Sequence, residues 1–209
     1  FFGLKPEMTV VEITPGSGWY MEILAPLLSA KGQYIAALPP AENEYLTKAN
    51  AKIAQWIDNH PELATKIKVT AMATPSELVP AGTADMVLTF RNVHNWMAKG
   101  NAQDAFNVFY QALKPGGILG VVEHREMASR KNDPKAKSGY VREAEVIRMA
   151  KKAGFKLDAK SEINANPKDV KKYPEGVWTL PPVLRLGDKD RDKYLAIGES
   201  DRMTLRFVK

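Results

Sequence analysis

Two histidines and one neighbouring arginine are the first candidates for chemistry in this chain. His94 follows an apolar run at 84–90, and His124 ends a second run at 118–124, with the charged Arg125 directly after it. Both runs are predicted strands, and strand ends of an open α/β sheet face the ligand cleft. An imidazole in such a cleft can act as a general base. We therefore predict His94, His124 and Arg125 as candidate catalytic residues, the alternative being that the histidines fix loops by hydrogen bonds.

A glycine-containing turn near the start is the second chemical feature. Gly16 and Gly18 follow a β-branched run and precede a predicted helix. Glycines remove side chains, so that a ligand can approach the backbone, and they can adopt positive φ. The dinucleotide fingerprint G-x-G-x-x-G requires a third glycine where Met21 stands, and the phosphate loop GxxxxGK[ST] is absent. A nicotinamide-dependent oxidoreductase is therefore disfavoured.

Composition narrows the remaining classes. The 209 residues contain no cysteine and three histidines, which excludes disulfides and thiolate chemistry and argues against a metal site. The net charge of +6 is scattered among acids, so no nucleic-acid partner is predicted. No apolar run approaches the roughly 18 residues of a membrane span. The length predicts a single domain over 1–209.

Strand and helix patterns alternate along the first three quarters of the chain. Short β-branched or apolar runs predict strands, namely 8–14, 32–38, 67–73, 84–90 and 118–124. Helical spacing appears between them, and again over 141–153 before Gly154. Two more strands, 155–163 and 203–209, flank a proline- and charge-rich stretch in which no crossover helix is evident. This alternation predicts an α/β fold with a mainly parallel sheet and an antiparallel hairpin at its edge.

Four segments together resemble class I S-adenosylmethionine-dependent methyltransferases. Glu12 followed by Pro-Gly-Ser-Gly resembles the family's first motif, E/D-x-G-x-G-x-G. "ADMVLTFRNVHNW" resembles its fourth strand, "ALKPGGILGVVEH" the turn into its fifth, and "AGFKL" the start of its sixth. The resemblance implies a Rossmann-like three-layer sandwich with a seven-stranded sheet of order 3-2-1-4-5-7-6, the last strand antiparallel.

The resemblance also implies where S-adenosylmethionine is held. Carried onto this chain, its cofactor contacts are Glu12, Thr14, Pro15, Gly16, Gly18, Trp19, Arg91 and Asn92. Thr14 replaces the first glycine of the motif. Trp19 is expected either to attract the sulfonium or to pack on the helix, and Arg91 either to bind an anion or to form an ordinary salt bridge.

Two positions depart from the family. The acid that binds the ribose at the end of strand two is replaced by Ala37 and Leu38. Near the adenine, Ser76 or Glu77 would have to serve. The implied activity is methyl transfer to a small-molecule acceptor, and the alternative is a regulatory protein that binds S-adenosylmethionine without catalysis.

Some phrases, among them "GVVEHR" and "ESDRMTLRF", are similar to a bacterial subgroup whose members often carry a secretory leader. That similarity implies a periplasmic or otherwise exported protein, with a cytoplasmic location as the alternative. The oligomeric state is not indicated by the sequence.

Overall fold

The structure is a computed structural model that describes residues 1–72 and 78–209. The two residues predicted to lie near the adenine, Ser76 and Glu77, therefore lie outside the described residues. Within the described ranges, no helix has the length and apolar character needed to cross a membrane.

Strands and helices alternate along the described chain. The strands are β1 (Thr9–Ile13), β2 (Gln33–Leu38), β3 (Ile67–Ala71), β4 (Ala84–Phe90), β5 (Leu113–Glu126), β6 (Val141–Arg142), β7 (Lys156–Ser161) and β8 (Arg202–Val208). The helices are α1 (Met21–Leu28), α2 (Glu44–Asp58), α3 (Pro61–Ala64), α4 (Val93–Lys99), α5 (Ala102–Ala112), α6 (Glu143–Ala153) and α7 (Arg191–Ile197), with a 3₁₀ helix at Gly176–Thr179.

The sheet has the order β3-β2-β1-β4-β5-β8-β7, with the two-residue β6 beside β5. This confirms the predicted order, because the extra strand β6 only raises the numbers of the last two. The first four strands pair in parallel, with Val11 opposite both Ile35 and Val87. Strand β8 is antiparallel to β5, since the N–H of Lys209 donates to the carbonyl of Gly117 at 3.0 Å and that of Arg125 to Asp201 at 2.9 Å.

The described residues form two compact units. Unit 1 comprises Phe1–Phe90, Asn107–Gly120 and Phe207–Lys209, and unit 2 comprises Arg91–Phe106 and Val121–Arg206. The prediction of a single domain over 1–209 stays a prediction.

In unit 1, α1 and α2 cover one face of the first strands. Val10 and Met86 of the sheet belong to one buried cluster with Leu24 of α1 and Ile53 of α2. Helix α1 ends two residues after Pro26, which has no N–H to donate to the carbonyl of Glu22 one turn earlier. This packing fixes the turn that joins β1 to α1.

In unit 2, the apolar face of α6 buries Val146, Met149 and Ala150, and the helix ends at Gly154 with φ of +113°, as the sequence predicts. Helix α7 was not predicted. It has seven residues and buries Tyr194, so it leaves no periodic apolar signal in the sequence.

Two local predictions were wrong. The segment after β4 was expected to be a loop, but His94 lies in α4, which ends at Gly100 in a left-handed cap with φ of +82°. Strand β5 begins at Leu113 and thus contains the "LKPGG" segment, which was expected to be a turn. The N–H of Gly116 donates to the carbonyl of Lys209 at 3.1 Å, which holds this segment against β8.

Candidate functional site

Three residues of the β1–α1 connection, here called the glycine turn (Thr14–Gly18), have left-handed backbones. Thr14 has φ of +51°, Gly16 of +61° and Gly18 of +92°. A β-branched residue rarely adopts this conformation, and non-glycine residues pay roughly 1–3 kcal/mol for it. The N–H of Thr14 donates to the carbonyl of Ala37 at 2.9 Å, which holds the strained residue in place. Thr14 therefore has a left-handed backbone at a position where the resemblance predicts a glycine.

The two glycines of the turn differ in what surrounds them. A Cβ added at Gly16 would meet no atom within 4 Å, so its backbone faces open space. A Cβ at Gly18 would lie 3.0 Å from Cδ1 of Ile53 and 3.3 Å from Cε of Met21. Gly18 is thus required by packing as well as by φ, whereas Gly16 leaves room for a ligand to reach the backbone.

Glu12 lies at the end of β1 with 1% of its surface exposed. Its carboxyl group accepts a hydrogen bond of 2.5 Å from the hydroxyl of Tyr34. Burial raises the pKa of Glu12 to about 7, and the Tyr34 hydrogen bond opposes that rise. The predicted contact between Glu12 and a cofactor stays a prediction.

Aromatic rings flank the glycine turn. Trp19 is 64% exposed and meets Tyr20 edge-on, with ring centroids 4.5 Å apart. Tyr20 in turn stacks on Phe90 at 3.6 Å. Because Trp19 is mostly exposed, it does not take the alternative role of packing the helix into the core. Its ring is accessible to a ligand bound at the turn.

These features fit one half of S-adenosylmethionine better than the other. The open backbone at Gly16 and the exposed Trp19 suit the methionine half, with its cationic sulfur. At the ribose position, β2 ends with Ala37 and Leu38, which carry no carboxylate. The glycine turn therefore fits the cofactor, while the ribose position lacks the family's usual acid.

In unit 2, four buried side chains form what we call the histidine cluster: His94, Glu123, His124 and Ser200. Nδ1 of His94 lies 3.0 Å from Oε1 of Glu123. The backbone N–H groups of His94 and His124 donate to the same carboxylate at 3.1 and 2.7 Å. Nδ1 of His124 lies 2.6 Å from Oγ of Ser200. The two imidazole centroids are 5.4 Å apart.

The electrostatics of the histidine cluster give its members separate roles. Burial acts to raise the pKa of Glu123, but His94 and the His124 backbone outweigh it and hold that pKa below its ordinary value. Burial lowers the pKa of His124 to about 3, so His124 is neutral at ordinary pH. An ionised carboxylate only accepts hydrogen bonds, so a neutral His94 donates from Nδ1 and has its lone pair on Nε2. His94 thereby has the geometry of an oriented general base.

A metal ion is the other species that such a cluster could hold. Among the described residues, His94, Glu123 and His124 each place a ligand atom within 4.8 Å of the other two. Two imidazoles and a carboxylate suit zinc or iron. Against this, Glu123 already accepts hydrogen bonds from three donors. The sequence-based expectation of no metal stays a prediction.

Arg125 is held by carboxylates. It donates two hydrogen bonds each to Glu162, at 2.8 and 2.6 Å, and to Asp201, at 3.1 and 2.8 Å. The hydrogen bonds to Glu162 and then Asp201 raise the pKa of Arg125 further. These contacts describe a residue that ties β5 to the segments around 162 and 201. The predicted catalytic role of Arg125 is untested by them.

The structure groups the predicted site residues by unit. Unit 1 contains Glu12, Thr14, Pro15, Gly16, Gly18 and Trp19. Unit 2 contains Arg91, Asn92, His94, His124 and Arg125. Arg91 has φ of +62°, and its N–H donates to the carbonyl of Val122 at 2.7 Å. Asn92 is the buried N-cap residue of α4. Arg91 thus repeats, after β4, the left-handed backbone that Thr14 has after β1.

Sequence reasoning missed several members of the site in unit 2. Glu123 was detectable, because it is an acid within the apolar run of β5. Ser200 had no such signal, since its contact with His124 spans 76 residues of sequence. The same holds for Asp169, which accepts hydrogen bonds from the Tyr140 hydroxyl at 3.1 and 3.0 Å and from the Asp201 N–H at 2.8 Å.

No protein-family model and no curated protein matches the sequence. Solved structures do match. An S-adenosylmethionine-dependent methyltransferase from Aquifex aeolicus is 16% identical, with a TM-score of 0.63 over 99% of this chain and 85% of that one. A second from Mesorhizobium loti is 11% identical, with a TM-score of 0.57 over 97% and 91%. The cyclase SpnF is 14% identical, with a TM-score of 0.66 over 99% and 76%.

The fold is therefore that of the class I S-adenosylmethionine-dependent methyltransferases. At these identities the likeness establishes the fold alone, and the cyclase among the similar structures shows that one fold hosts more than one named reaction. The reaction has to be argued from the site.

Proposed function

We propose that this protein is an S-adenosylmethionine-dependent methyltransferase whose acceptor is a small molecule with an ionisable O–H or N–H group. The observation that carries the proposal is the contact between His94 and Glu123, at 3.0 Å. Methyl transfer to such an acceptor needs a base, and a buried, oriented imidazole is suited to that task.

The glycine turn supplies the proposed cofactor site. The backbone from Thr14 to Gly18 would hold the methionine half of S-adenosylmethionine, and the ring of Trp19 would lie against its positive charge. When bound, this cofactor supplies an electrophilic methyl group. Gly16 has open space at the position of a Cβ, which permits close approach to the backbone.

Within the histidine cluster, Glu123 is a positioning residue. By accepting the Nδ1 hydrogen of His94, it fixes the ring orientation and leaves Nε2 as the proton acceptor. It also stabilises the imidazolium that forms when Nε2 takes the acceptor's proton. His124 is kept neutral by burial, so it adds no positive charge beside that imidazolium. General-base assistance of this type contributes about 10²–10⁴-fold in rate.

The runner-up is a protein that binds S-adenosylmethionine without transferring its methyl group. The C-terminal end of β2 favours this non-catalytic function, because Ala37 and Leu38 offer no carboxylate for the ribose. A nicotinamide-dependent oxidoreductase has less support, since Met21 is fully buried where the dinucleotide motif requires glycine.

Two measurements test the proposal in sequence. Titration calorimetry with S-adenosylmethionine, S-adenosylhomocysteine and NAD should show micromolar binding of the two sulfur compounds and none of NAD. Failure of both sulfur compounds to bind at millimolar concentration would rule out the methyltransferase. Formation of S-adenosylhomocysteine with a panel of phenols, catechols and amines then tests transfer, and binding without turnover across the panel supports the runner-up.

The role of His94 is tested on any acceptor that turns over. We expect His94→Ala to lower kcat by about 10²-fold or more, as for a lost general base. His60→Ala is the matched control, because His60 stacks on Trp56 in unit 1 and bonds to its carbonyl at 2.7 Å. Equal losses in both variants would contradict the assignment. Loss of wild-type activity on treatment with EDTA, restored by zinc, would instead assign the histidine cluster to a metal ion.

A further inference from the structure

A cavity of about 440 Å³ lies in unit 2 beyond the carboxyl ends of β5 and β6. Its wall includes Arg125, Arg142, Glu143, Lys160 and Asp201, and it contains no member of the histidine cluster. Ligands of open α/β sheets bind outside the carboxyl ends of the strands. Its volume lies in the range of small-molecule pockets, roughly 300–1,000 Å³.

Arg142 is the unusual member of this wall. Its Nη2 donates to the carbonyl of Ala128 at 2.9 Å. Its Nε is buried and has no hydrogen-bond partner among the described residues. A buried donor left without an acceptor costs about 1–3 kcal/mol, more when it is charged. Native proteins rarely leave such a group unsatisfied. Because this Nε is closed off from solvent, the groups of Arg142 left to meet a ligand are the other N–H groups of its guanidinium.

The carboxylates around the cavity are already neutralised. Glu143 pairs with Lys160, and Asp201 pairs with Arg125 and with Lys171 at 2.9 Å. Glu126 pairs with Arg130 at 2.9 Å.

Arg142 itself forms no ion pair within the described ranges. Two hydrogen bonds from Arg148 hold the carboxylate of Glu145 and lower its pKa, and the charge of Arg142 adds a smaller contribution to that shift. The wall therefore carries one positive charge without a counterion.

Part of the cavity wall is apolar. Met127, Ala128 and Ile147 line the cavity together with the charged groups and form what we call its apolar side.

We propose that this cavity binds an oxyanion, a carboxylate or a phosphate group, on a small molecule with an apolar body. The guanidinium of Arg142 is the principal contact, and the apolar side takes the body of the ligand. The site is separate from the histidine cluster, and it stands whether or not the chain transfers a methyl group.

Calorimetry on the full chain without S-adenosylmethionine tests the site with three probes: benzoate, phenyl phosphate and the neutral benzyl alcohol. We expect one of the two anions to bind with a Kd of about 1 mM or tighter, which is roughly −4 kcal/mol. The tighter anion identifies the group as a carboxylate or a phosphate. Benzyl alcohol should bind at least about tenfold more weakly, because it cannot satisfy a charged donor.

Arg142→Met should weaken binding of the preferred anion by about tenfold or more, as expected for a lost charge-assisted hydrogen bond. Arg148→Met is the matched control, because Arg148 lies on the same helix and pairs outward with Glu145. The thermal midpoint of Arg142→Met should change little, since the variant removes an unsatisfied buried group together with one hydrogen bond to Ala128; a normal midpoint shows that it folds. Equal anion affinity in wild type and Arg142→Met, or no saturable binding of either anion at millimolar concentration, overturns the proposal.

Discussion

The glycine turn of unit 1 and the histidine cluster of unit 2 differ in which groups are positioned to meet a ligand. In the glycine turn these groups belong to the backbone, because Thr14, Gly16 and Gly18 have positive φ and Gly16 leaves open space. In the histidine cluster these groups are side chains, because Glu123 accepts three hydrogen bonds and orients the ring of His94.

The two regions also differ in the groups that make their contacts. Thr14 is held through its backbone N–H, which donates to the carbonyl of Ala37 in β2. In the histidine cluster the contacts are made by side chains, from His94 to Glu123 and from His124 to Ser200. A site made of backbone tolerates changes in many side chains, whereas a side-chain network depends on each member.

The strongest test of this difference is Glu123→Gln. Glutamine replaces one of the two accepting oxygens by an NH₂ donor and removes the negative charge, so it holds the ring of His94 less firmly and no longer stabilises the imidazolium by charge. We expect kcat to fall by about 10²-fold with KM unchanged within about threefold, the pattern of an interaction made in the transition state. Steady-state kinetics measure both. A rise in KM with constant kcat would mean that Glu123 only shapes the acceptor site.

The next test uses the opposite pH responses of one buried group in each unit. The folded-state pKa of Glu12, about 7, lies above its ordinary value of 4.5. Between these values the folded state binds more protons, so the free energy of unfolding falls as pH rises, by up to about 1.4 kcal/mol per unit. Glu12→Gln should remove that loss, giving a variant about 2–3 kcal/mol more stable than wild type at pH 8. Urea unfolding at pH 5 and pH 8 measures it.

His124 provides the contrasting control. Its folded-state pKa of about 3 lies below the ordinary 6.5, so the unfolded state binds more protons between these values. The free energy of unfolding therefore falls as pH decreases from 6.5. His124→Asn should flatten the acid side of the stability curve and leave the alkaline side unchanged. If His124→Asn changes the stability above pH 7, or Glu12→Gln leaves the stability at pH 8 unchanged, the pKa shifts assigned to these two groups are wrong.

Much of the fold was predictable from the sequence, and the parts that were not have physical reasons. The strand order followed from four segments that resemble one family, and the end of α6 at Gly154 followed from a local signal. The two-residue β6 and the seven-residue α7 are too short to show periodicity. In the site, the glycines were visible because their chemistry is local. Ser200 and Asp169 were not, because only the folded chain brings them to His124 and Tyr140.

A smaller effect is expected from Gly16→Ala. A Cβ at this position meets no protein atom, so the variant should lose about 1 kcal/mol of stability, from φ alone. It would, however, occupy the space that the proposed cofactor needs, and we expect S-adenosylmethionine to bind about tenfold more weakly, or roughly 1.4 kcal/mol.

Gly3→Ala is matched in strain, because Gly3 has φ of +81° and also has no neighbour within 4 Å. It should show the same loss of stability with unchanged affinity. Titration calorimetry of both variants separates a ligand site at the glycine turn from a backbone effect.

The smallest effect is expected from Thr14→Gly. Glycine relieves the left-handed strain at this position but gains freedom in the unfolded chain, and the two contributions are each about 1 kcal/mol. The free energy of unfolding should therefore change by less than about 1 kcal/mol, with S-adenosylmethionine affinity kept. A large drop in affinity would show that the threonine side chain itself contacts the cofactor.

The contact between His124 and Ser200 has a consequence for protein synthesis. Synthesis runs from the N-terminal to the C-terminal side, so β1, the glycine turn and β2 are made before β5. The histidine cluster lacks its serine until residue 200 has been made, and Arg125 lacks Asp201 until one residue later. While residues 127–199 are being made, His124 and Arg125 of β5 are therefore without these partners, and a chain truncated before residue 200 never completes the cluster.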